Sequence, residues 1–249
     1  MSKVSIITPV YNSANFISIT IQSVINQTYT NWEMLLVNDC STDNSLEIIQ
    51  AFADKDERIV VINNDQNLGQ VKSRNRAIDQ ASGRYIAMLD SDDVWHPEKL
   101  EKQIQFFKEQ NCVIQHSYYE HIDESGQPLQ KRVEAPHKIN YFKLLESNFM
   151  GCLTVIYDTQ EVGKAFMPEV GKRDDWACWL SILKKGHEAY CIPEVLAYYR
   201  IRSKSLSSNK LKMLKYNWNI LTKHQGIPAY RAAWYMLTHV VNSVKKHFL

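Results

Sequence analysis

Long apolar runs are missing from these 249 residues. Nothing approaches the roughly 20 consecutive apolar residues that a helix needs to cross a bilayer. The first twelve residues hold one lysine, a short apolar stretch and then Pro9, which is not the order of a secretion signal. Cysteine is sparse: Cys40, Cys112, Cys152, Cys178 and Cys191 are an odd set with no C-x-x-C pair. Such spacing suggests neither a zinc site nor a disulfide framework, and free buried thiols in the cytosol are expected. His96, His116 and His121 follow no zinc-like pattern. Neither G-x-G-x-x-G nor G-x-x-x-x-G-K-S/T occurs, so dinucleotide and P-loop chemistry are disfavoured. Internal repeats are absent too, and no clean domain boundary is visible.

Acid is missing from one end. From Arg200 to Leu249 there are ten Lys plus Arg and no Asp or Glu, whereas the preceding 199 residues carry 19 basic and 27 acidic side chains. The net charge of +2 therefore conceals an acidic body and a basic tail. A tail of that kind suits an anionic partner such as phosphates or a membrane surface. At 45 % hydrophobic and 22 % charged, the chain otherwise has the balance of a folded protein and the length to bury a sizeable core.

The first half alternates strand and helix patterns. Strands are expected at 4–8, 32–37, 59–62, 85–89 and 113–119, with helices between them; Gly69 opens one and Ser82-Gly83 stops it. Alternation of this length implies right-handed βαβ units and a mostly parallel sheet. Ligands bind such sheets beyond the carboxyl ends of the strands. The polar runs Pro9-Val-Tyr-Asn12, Asn38-Asp-Cys-Ser-Thr-Asp43 and Asp90-Ser-Asp-Asp93 fall at those ends. In the second half, 152–157 and 195–201 read as strands, and 174–185, 210–224 and the chain end as helices.

Asp90-Ser-Asp-Asp93 puts three carboxylates within four residues. They repel one another unless something positive sits among them. A hard divalent cation shared with substrate phosphates would answer that need; a polar turn with Asp93 capping the next helix is the plainer alternative. Asp39, at the end of the second strand, can accept from a nucleobase or a ribose hydroxyl, or close an Asx turn. Arg74, one turn after Gly69, can pair with Asp39, Asp90 or a diphosphate, or simply be solvated.

Together, Ser5-Ile-Ile-Thr-Pro-Val-Tyr-Asn12, Val37-Asn-Asp-Cys-Ser-Thr-Asp43, Asn67-Leu-Gly69 with Arg74-Asn75, and Leu89-Asp-Ser-Asp-Asp-Val-Trp95 resemble the family 2 glycosyltransferases of the GT-A fold. The resemblance implies a nucleotide-sugar donor, Mn²⁺ or Mg²⁺, and inversion at the anomeric carbon. It puts Pro9, Tyr11, Glu33, Asp39, Arg74 and Asp90 on the donor nucleotide, with Asp90 and Asp92 forming the metal-binding D-x-D element. Asn38 departs from the family by standing where a second Asp is common. Arg173-Asp-Asp-Trp-Ala-Cys-Trp-Leu180 resembles the family's Glu-Asp element: Asp175 matches the general base, while Asp174 and Trp176 fall on the acceptor side. Carboxylates at a helix start also have a simpler use, complementing its dipole. Tyr198-Tyr-Arg-Ile-Arg-Ser-Lys-Ser-Leu-Ser207 resembles the element that closes over the donor diphosphate. Arg202 replaces its usual His, which keeps phosphate binding and removes a possible metal ligand; Lys204 can assist.

The resemblance implies an α/β GT-A catalytic domain over residues 1–205, mostly parallel sheet flanked by helices. Residues 1–110 would bind the nucleotide-sugar and 111–205 the acceptor, with a basic helical extension over 206–249. The expected activity is inverting transfer from a nucleotide-sugar, most commonly a UDP-sugar carrying a hexose or N-acetylhexosamine. The acceptor would be a glycan or lipid-linked sugar in bacterial surface polysaccharide synthesis. Capsular and teichuronic acid enzymes are the nearest in flavour, and nucleic acid is not an expected partner. A non-catalytic nucleotide-sugar or glycan module, or a sugar-nucleotide pyrophosphorylase, are the alternatives. The last helix repeats Tyr230, Trp234, Leu237, Val241, Val244 and Phe248 on one face. That stripe can pack on the core, form a dimer seam or lie in a membrane interface. The expected location is the cytoplasm, including the inner face of its membrane.

Overall fold

A computed structural model describes residues 2–202 and 210–248. The first strands alternate their side chains between two apolar layers. Val4, Ile6 and Val10 of β1 (Val4–Val10) and Met34 and Leu36 of β2 (Trp32–Asn38) face α1 (Ile17–Ile25). Ile7, Leu35 and Val37 face the opposite layer, where Ala77 and Ile78 of α3 (Gln70–Gln80) lie. Both faces of these strands are buried, which explains their nearly continuous apolar sequence.

The remaining elements follow in order: α2 (Ser45–Ala53), β3 (Ile59–Asn63), β4 (Tyr85–Met88), β5 (Val94–Trp95), α4 (Lys99–Glu109), β6 (Ile114–Ile122), β7 (Pro128–Val133), β8 (Lys138–Ile139), α5 (Tyr141–Glu146), β9 (Ile156–Asp158), α6 (Thr159–Val162), α7 (Asp174–Leu183), β10 (Ala189–Arg200), α8 (Lys210–Asn219) and α9 (Ala229–Phe248). One ten-stranded mixed sheet runs β3-β2-β1-β4-β9-β6-β10-β5, with β7 on β6 and β8 on β10. Strands β3, β2, β1 and β4 are parallel, as are β6 and β10, and the short β9 joins the two groups antiparallel.

The order reverses at β1: the chain moves one way to β2 and β3, then returns to place β4 on the other side. Register leaves a gap there. Strand β4 pairs with β1 only as far as Ile7↔Met88, while β1 continues through Pro9↔Val37 and Val10↔Asn38 with β2. Pro9 thus lacks its N–H at a position where β4 has already left the sheet. The crevice so formed is the switch point at which open α/β sheets bind ligands.

Several expectations change in detail. Residues 152–157 make a 3₁₀ turn over Cys152–Thr154 followed by β9. The turn's carbonyls are claimed by side chains: Trp95 Nε1 donates to Leu153 O (2.8 Å) and Gln103 Nε2 to Thr154 O (3.0 Å). The helix expected over 210–224 is α-helical to Asn219 and a π-helical turn from Ile220 to His224. The segment expected to close over a diphosphate is described up to Arg202, so Lys204 lies outside the described residues.

Candidate active site

Two cavities open at the carboxyl edge of the sheet. The first, about 640 Å³, lies over the crevice between Pro9-Val-Tyr-Asn12 and Asp90-Ser-Asp92, with Asp39, Gly69 and Arg202 on its wall. The second, about 710 Å³, is lined by Arg74, Asn148, the 150–153 turn, Arg173, Asp174 and Asp175. They share Gly69, Gln70, Asp90 and Tyr199. A molecule in one cavity therefore meets a molecule in the other at Asp90. Among the four described non-glycine residues with positive φ, Asn12 (48°), Cys40 (57°) and Arg173 (60°) lie on loops at this edge, where backbone strain commonly marks function.

Asp39 is buried and saturated by its own chain. Its carboxylate accepts from Asn64 Nδ2 (2.7 Å), Leu68 N (2.7 Å) and Gly69 N (2.8 Å). Gly69 reaches that arrangement with φ of +85°, which a residue without Cβ adopts freely. Asp39 thus shapes the donor-side wall by folding the 64–69 loop against β2, with three of its acceptor sites already occupied. Tyr11 is half exposed at the mouth of the same cavity, free to stack on a base.

The acidic run divides between the two cavities. The buried guanidinium of Arg74 pairs with Asp90, one of its expected partners, and not with Asp39. Arg74 lines the second cavity rather than the first. Gln70 Nε2 also donates to Asp90, at 3.2 Å. Asp92 Oδ2 meets Arg202 Nη1 at 3.1 Å. Burial and the neighbouring Asp90 charge hold the Asp92 carboxyl above its usual range, against the pull of Arg202. Asp93 caps no helix: it is buried and accepts from the backbone N–H of Arg200 at 2.9 Å. Arg200, which the sequence did not single out, donates Nε to Asp92 O (2.7 Å) and Nη1 to Asp123 O and Glu124 O (3.0 Å each). It thereby ties the end of β10 to the acidic loop.

In the second cavity, Asp175 stands in the first turn of α7 and accepts from Asn148 Nδ2 at 3.3 Å. Burial pushes its carboxyl above the ordinary value, while the Trp176 N–H, Arg74, Arg173 and Asn148 pull it back. A raised pKa suits a group that must take a proton. Asp174 lines the same cavity and closes a turn by accepting from Val170 N at 3.0 Å. Asn148 had no signal in a single sequence, because only the fold brings it to Asp175.

Two expected site residues lie elsewhere. Glu33 sits at the amino end of β2, paired in register with Ser5, five residues before Asn38. It accepts from Ser5 Oγ (2.5 Å), Lys3 Nζ (2.6 Å) and Ser82 N (2.8 Å). It therefore clamps the opposite edge of the sheet and does not line the first cavity. Gly83 belongs to that clamp, since a Cβ there would lie 2.7 Å from Ser5 N. Trp176 is fully buried, donates Nε1 to Leu144 O (2.9 Å) and packs edge-on against His239 (4.8 Å between ring centres). It holds α7 to α5 and α9 and has no face open to an acceptor.

A divalent cation can be tested against these donors. Among the described residues no group of three or more His, Cys, Asp or Glu is placed to hold an ion. The chain offers Asp90 and Asp92, two hard oxygen ligands at the lip of the donor cavity. That set fits Mg²⁺ or Mn²⁺, which commonly take one or two carboxylates with the remaining ligands from substrate phosphates and water.

A mixed, mostly parallel α/β sheet with a D-x-D run at its switch point and a buried carboxylate across a shared wall has the arrangement of a GT-A glycosyltransferase. The glycosyl transferase family 2 model matches residues 5–158, and the chain belongs to that family of inverting enzymes. It is 42 % identical over 243 residues to TuaG of Bacillus subtilis (strain 168), a glycosyltransferase named for teichuronic acid biosynthesis, covering 98 % of this chain and 96 % of the relative. It is 40 % identical over 245 residues to WfgD of Escherichia coli, named as a UDP-Glc:alpha-D-GlcNAc-diphosphoundecaprenol beta-1,3-glucosyltransferase, covering 98 % and 94 %. The Staphylococcus aureus TarS fragment 1–349, solved with UDP-GlcNAc, superposes with a TM-score of 0.72 at 20 % identity, covering all of this chain and 73 % of that one.

Proposed function

We propose that this enzyme moves a hexose or N-acetylhexosamine from a UDP-sugar to a hydroxyl of a glycan or lipid-linked acceptor in bacterial surface polysaccharide synthesis. The observation that carries the reading is the common wall of the two cavities, with the donor loops on one side and Asp175 on the other. The UDP-glucose donor and lipid-linked acceptor named for the Escherichia coli relatives support the same donor and acceptor classes. In this division of labour residues 1–110 serve the nucleotide-sugar and 111–205 mainly the acceptor. A lipid-linked acceptor would put the enzyme at the inner face of the cytoplasmic membrane.

The reaction follows from the placement. The acceptor hydroxyl oxygen attacks the anomeric carbon and gives its proton to Asp175. The bond from that carbon to the diphosphate oxygen breaks, and its electron pair leaves with the nucleoside diphosphate. Attack from the side opposite the leaving group inverts the centre. Arg202 stands at the donor cavity to neutralise the diphosphate, and Lys204 follows it in sequence. Mg²⁺ or Mn²⁺ held by Asp92 and Asp90 would supply Lewis-acid stabilisation of the departing phosphates. Asn148 and Arg173 orient and tune the base.

The test uses Asp175→Asn with UDP titration and a panel of UDP-sugars, with and without Mn²⁺. The expected result is donor affinity within about threefold of wild type and transfer slowed by roughly 10²–10⁴-fold, the usual reach of general-base catalysis. Full transfer activity in the variant refutes the assignment.

A further inference from the structure

Helix α9 is apolar on two opposite sides. Ala232, Tyr235, Met236 and His239 pack inward, and Thr238 Oγ1 reaches Glu146 O of α5 at 3.4 Å. Tyr230, Trp234, Leu237 and Val241 are 72, 63, 56 and 44 % exposed. At about 100° per residue these two sets are roughly 180° apart around the helix. Core packing therefore accounts for one face and leaves the other without a partner among the described residues. Helix α8, which packs against α9, exposes Leu214 and Trp218 one turn apart. No described helix is long and apolar enough to cross a membrane, so the exposed face is not part of a span.

From the exposed aromatic and aliphatic stripe and its charge, we infer that the α8–α9 region docks on the surface of an anionic lipid bilayer. From Lys210 to Leu249 the chain carries seven Lys and Arg and no Asp or Glu, and Lys215, Lys223 and Arg231 are exposed beside the apolar residues. Phosphate headgroups complement that charge, and Trp and Tyr suit the boundary between headgroups and acyl chains. A second copy of the chain fits less well. A two-fold contact through this face sets the same cations against one another, with no acidic residue in the segment to pair them. The inference goes beyond the transfer reaction, because vesicle binding requires neither donor nor acceptor.

The experiment is flotation of the full chain with vesicles of phosphatidylglycerol and phosphatidylcholine (1:1), and with phosphatidylcholine alone. It compares wild type, Trp234→Ser, Leu237→Ser and the double variant, with thermal midpoint and UDP affinity as controls. The expected result is binding to the anionic vesicles that weakens in high salt, as a screened charge requires. Each single variant should bind less well, and the double variant at least about tenfold less, given the apolar area removed. Thermal midpoint and UDP affinity of the singles should be unchanged. Failure of wild type to float, or equal flotation of wild type and the single variants, overturns the inference. So does sedimentation showing a wild-type dimer that the variants dissociate, without vesicle binding, which would make the stripe a seam between copies. Loss of transfer activity in Asp175→Asn bears on none of these readouts, so the two readings fail separately.

Discussion

Replacing Asp39 by asparagine separates a residue that builds the donor site from one that touches the donor. The buried carboxylate accepts three hydrogen bonds from the 64–69 loop, two of them from backbone N–H groups that have no other acceptor shown. An amide keeps one oxygen and turns the other position into a donor facing a donor. Losing a charge-assisted bond and leaving a buried N–H unmatched costs about 2–4 kcal/mol. For a chain of this size each kcal/mol moves the thermal midpoint by about 2–4 °C, so the unliganded protein should melt about 5–15 °C lower. UDP affinity should weaken with it, since Gly69 and Gln70 of the loosened wall line the cavity. Asn64→Ala is the control. Asn64 bonds both Asp39 (2.7 Å) and Ser73 (2.9 Å) from outside the cavity wall, and its loss should reproduce part of the drop. Scanning fluorimetry without ligand, followed by UDP calorimetry, measures both. An Asp39→Asn protein whose unliganded midpoint stays within about 2 °C of wild type while UDP binding collapses would falsify the structural reading and make Asp39 a direct ligand.

Three further perturbations probe other parts of the molecule. Glu33→Gln should leave donor affinity and turnover unchanged while lowering stability near neutral pH by about 1–2 kcal/mol. Burial works against its charge, but Lys3, Ser5 and Ser82 hold the carboxyl below its usual range; the stabilisation is thus present above about pH 4.3 and lost as pH falls through the lower folded value. The deficit seen in urea unfolding should shrink in acid, and a change in donor affinity would return Glu33 to the site. Asn148→Ala removes a hydrogen bond that favours the charged form of Asp175, so the acid limb of kcat/KM should move to higher pH; an unmoved limb means that Asp175 is not the titrating base. Lys99 is fully buried against Trp95 and Gln103, and burial lowers its pKa to about 7. Between about 7 and the ordinary ~10.4 the unfolded chain holds a proton that the folded chain lacks, so wild-type stability should rise relative to Lys99→Met by up to ~1.4 kcal/mol per pH unit. Parallel curves at pH 7 and 9 would show that Lys99 keeps its charge.

The parts of the site that could be read from sequence share one property: they are polar runs that interrupt apolar strands. Pro9-Val-Tyr-Asn12 and Asp90-Ser-Asp92 fall where strands end, and the βαβ rule places both at the same edge. Contacts set by distant chain segments were not legible in that way. Arg200 meets Asp93 across 107 positions, and Asn148 meets Asp175 across 27. Strand β7 is exposed along most of its length and carries Gln130, Lys131 and Arg132 at its centre, so it lacks the apolar alternation that marks a strand. The stripe on α9 was visible by period, but period alone could not say that a second face, built on Ala232 and His239, would claim the core. Trp176 misled for a related reason: one residue past Asp175 is about 100° further round α7, and that rotation turns its ring into the core against α5 and α9.

Carboxylates cluster at the carboxyl edge, and their hydrogen-bond partners sort them into two kinds. Asp39 accepts from Leu68 N and Gly69 N, Asp43 from Ala14 N and Ser45 N, Asp93 from Arg200 N and Asp174 from Val170 N. A backbone N–H cannot leave without unfolding its turn, so these four act as staples that hold the loops in place. Asp90, Asp92 and Asp175 also accept from side chains, Arg74 and Gln70, Arg202, and Asn148 respectively, with the Trp176 N–H holding Asp175 as well. Side chains can rotate away or add a second partner, and a diphosphate, a cation or an acceptor hydroxyl can take the freed oxygen. Sequence assigns the same letter to both kinds, which is why Asp93 could be read as a helix cap although it accepts from Arg200 N. These three face the cavities that share a wall at Asp90, and the proposed passage of a sugar between two substrates at one edge of the sheet rests on that arrangement.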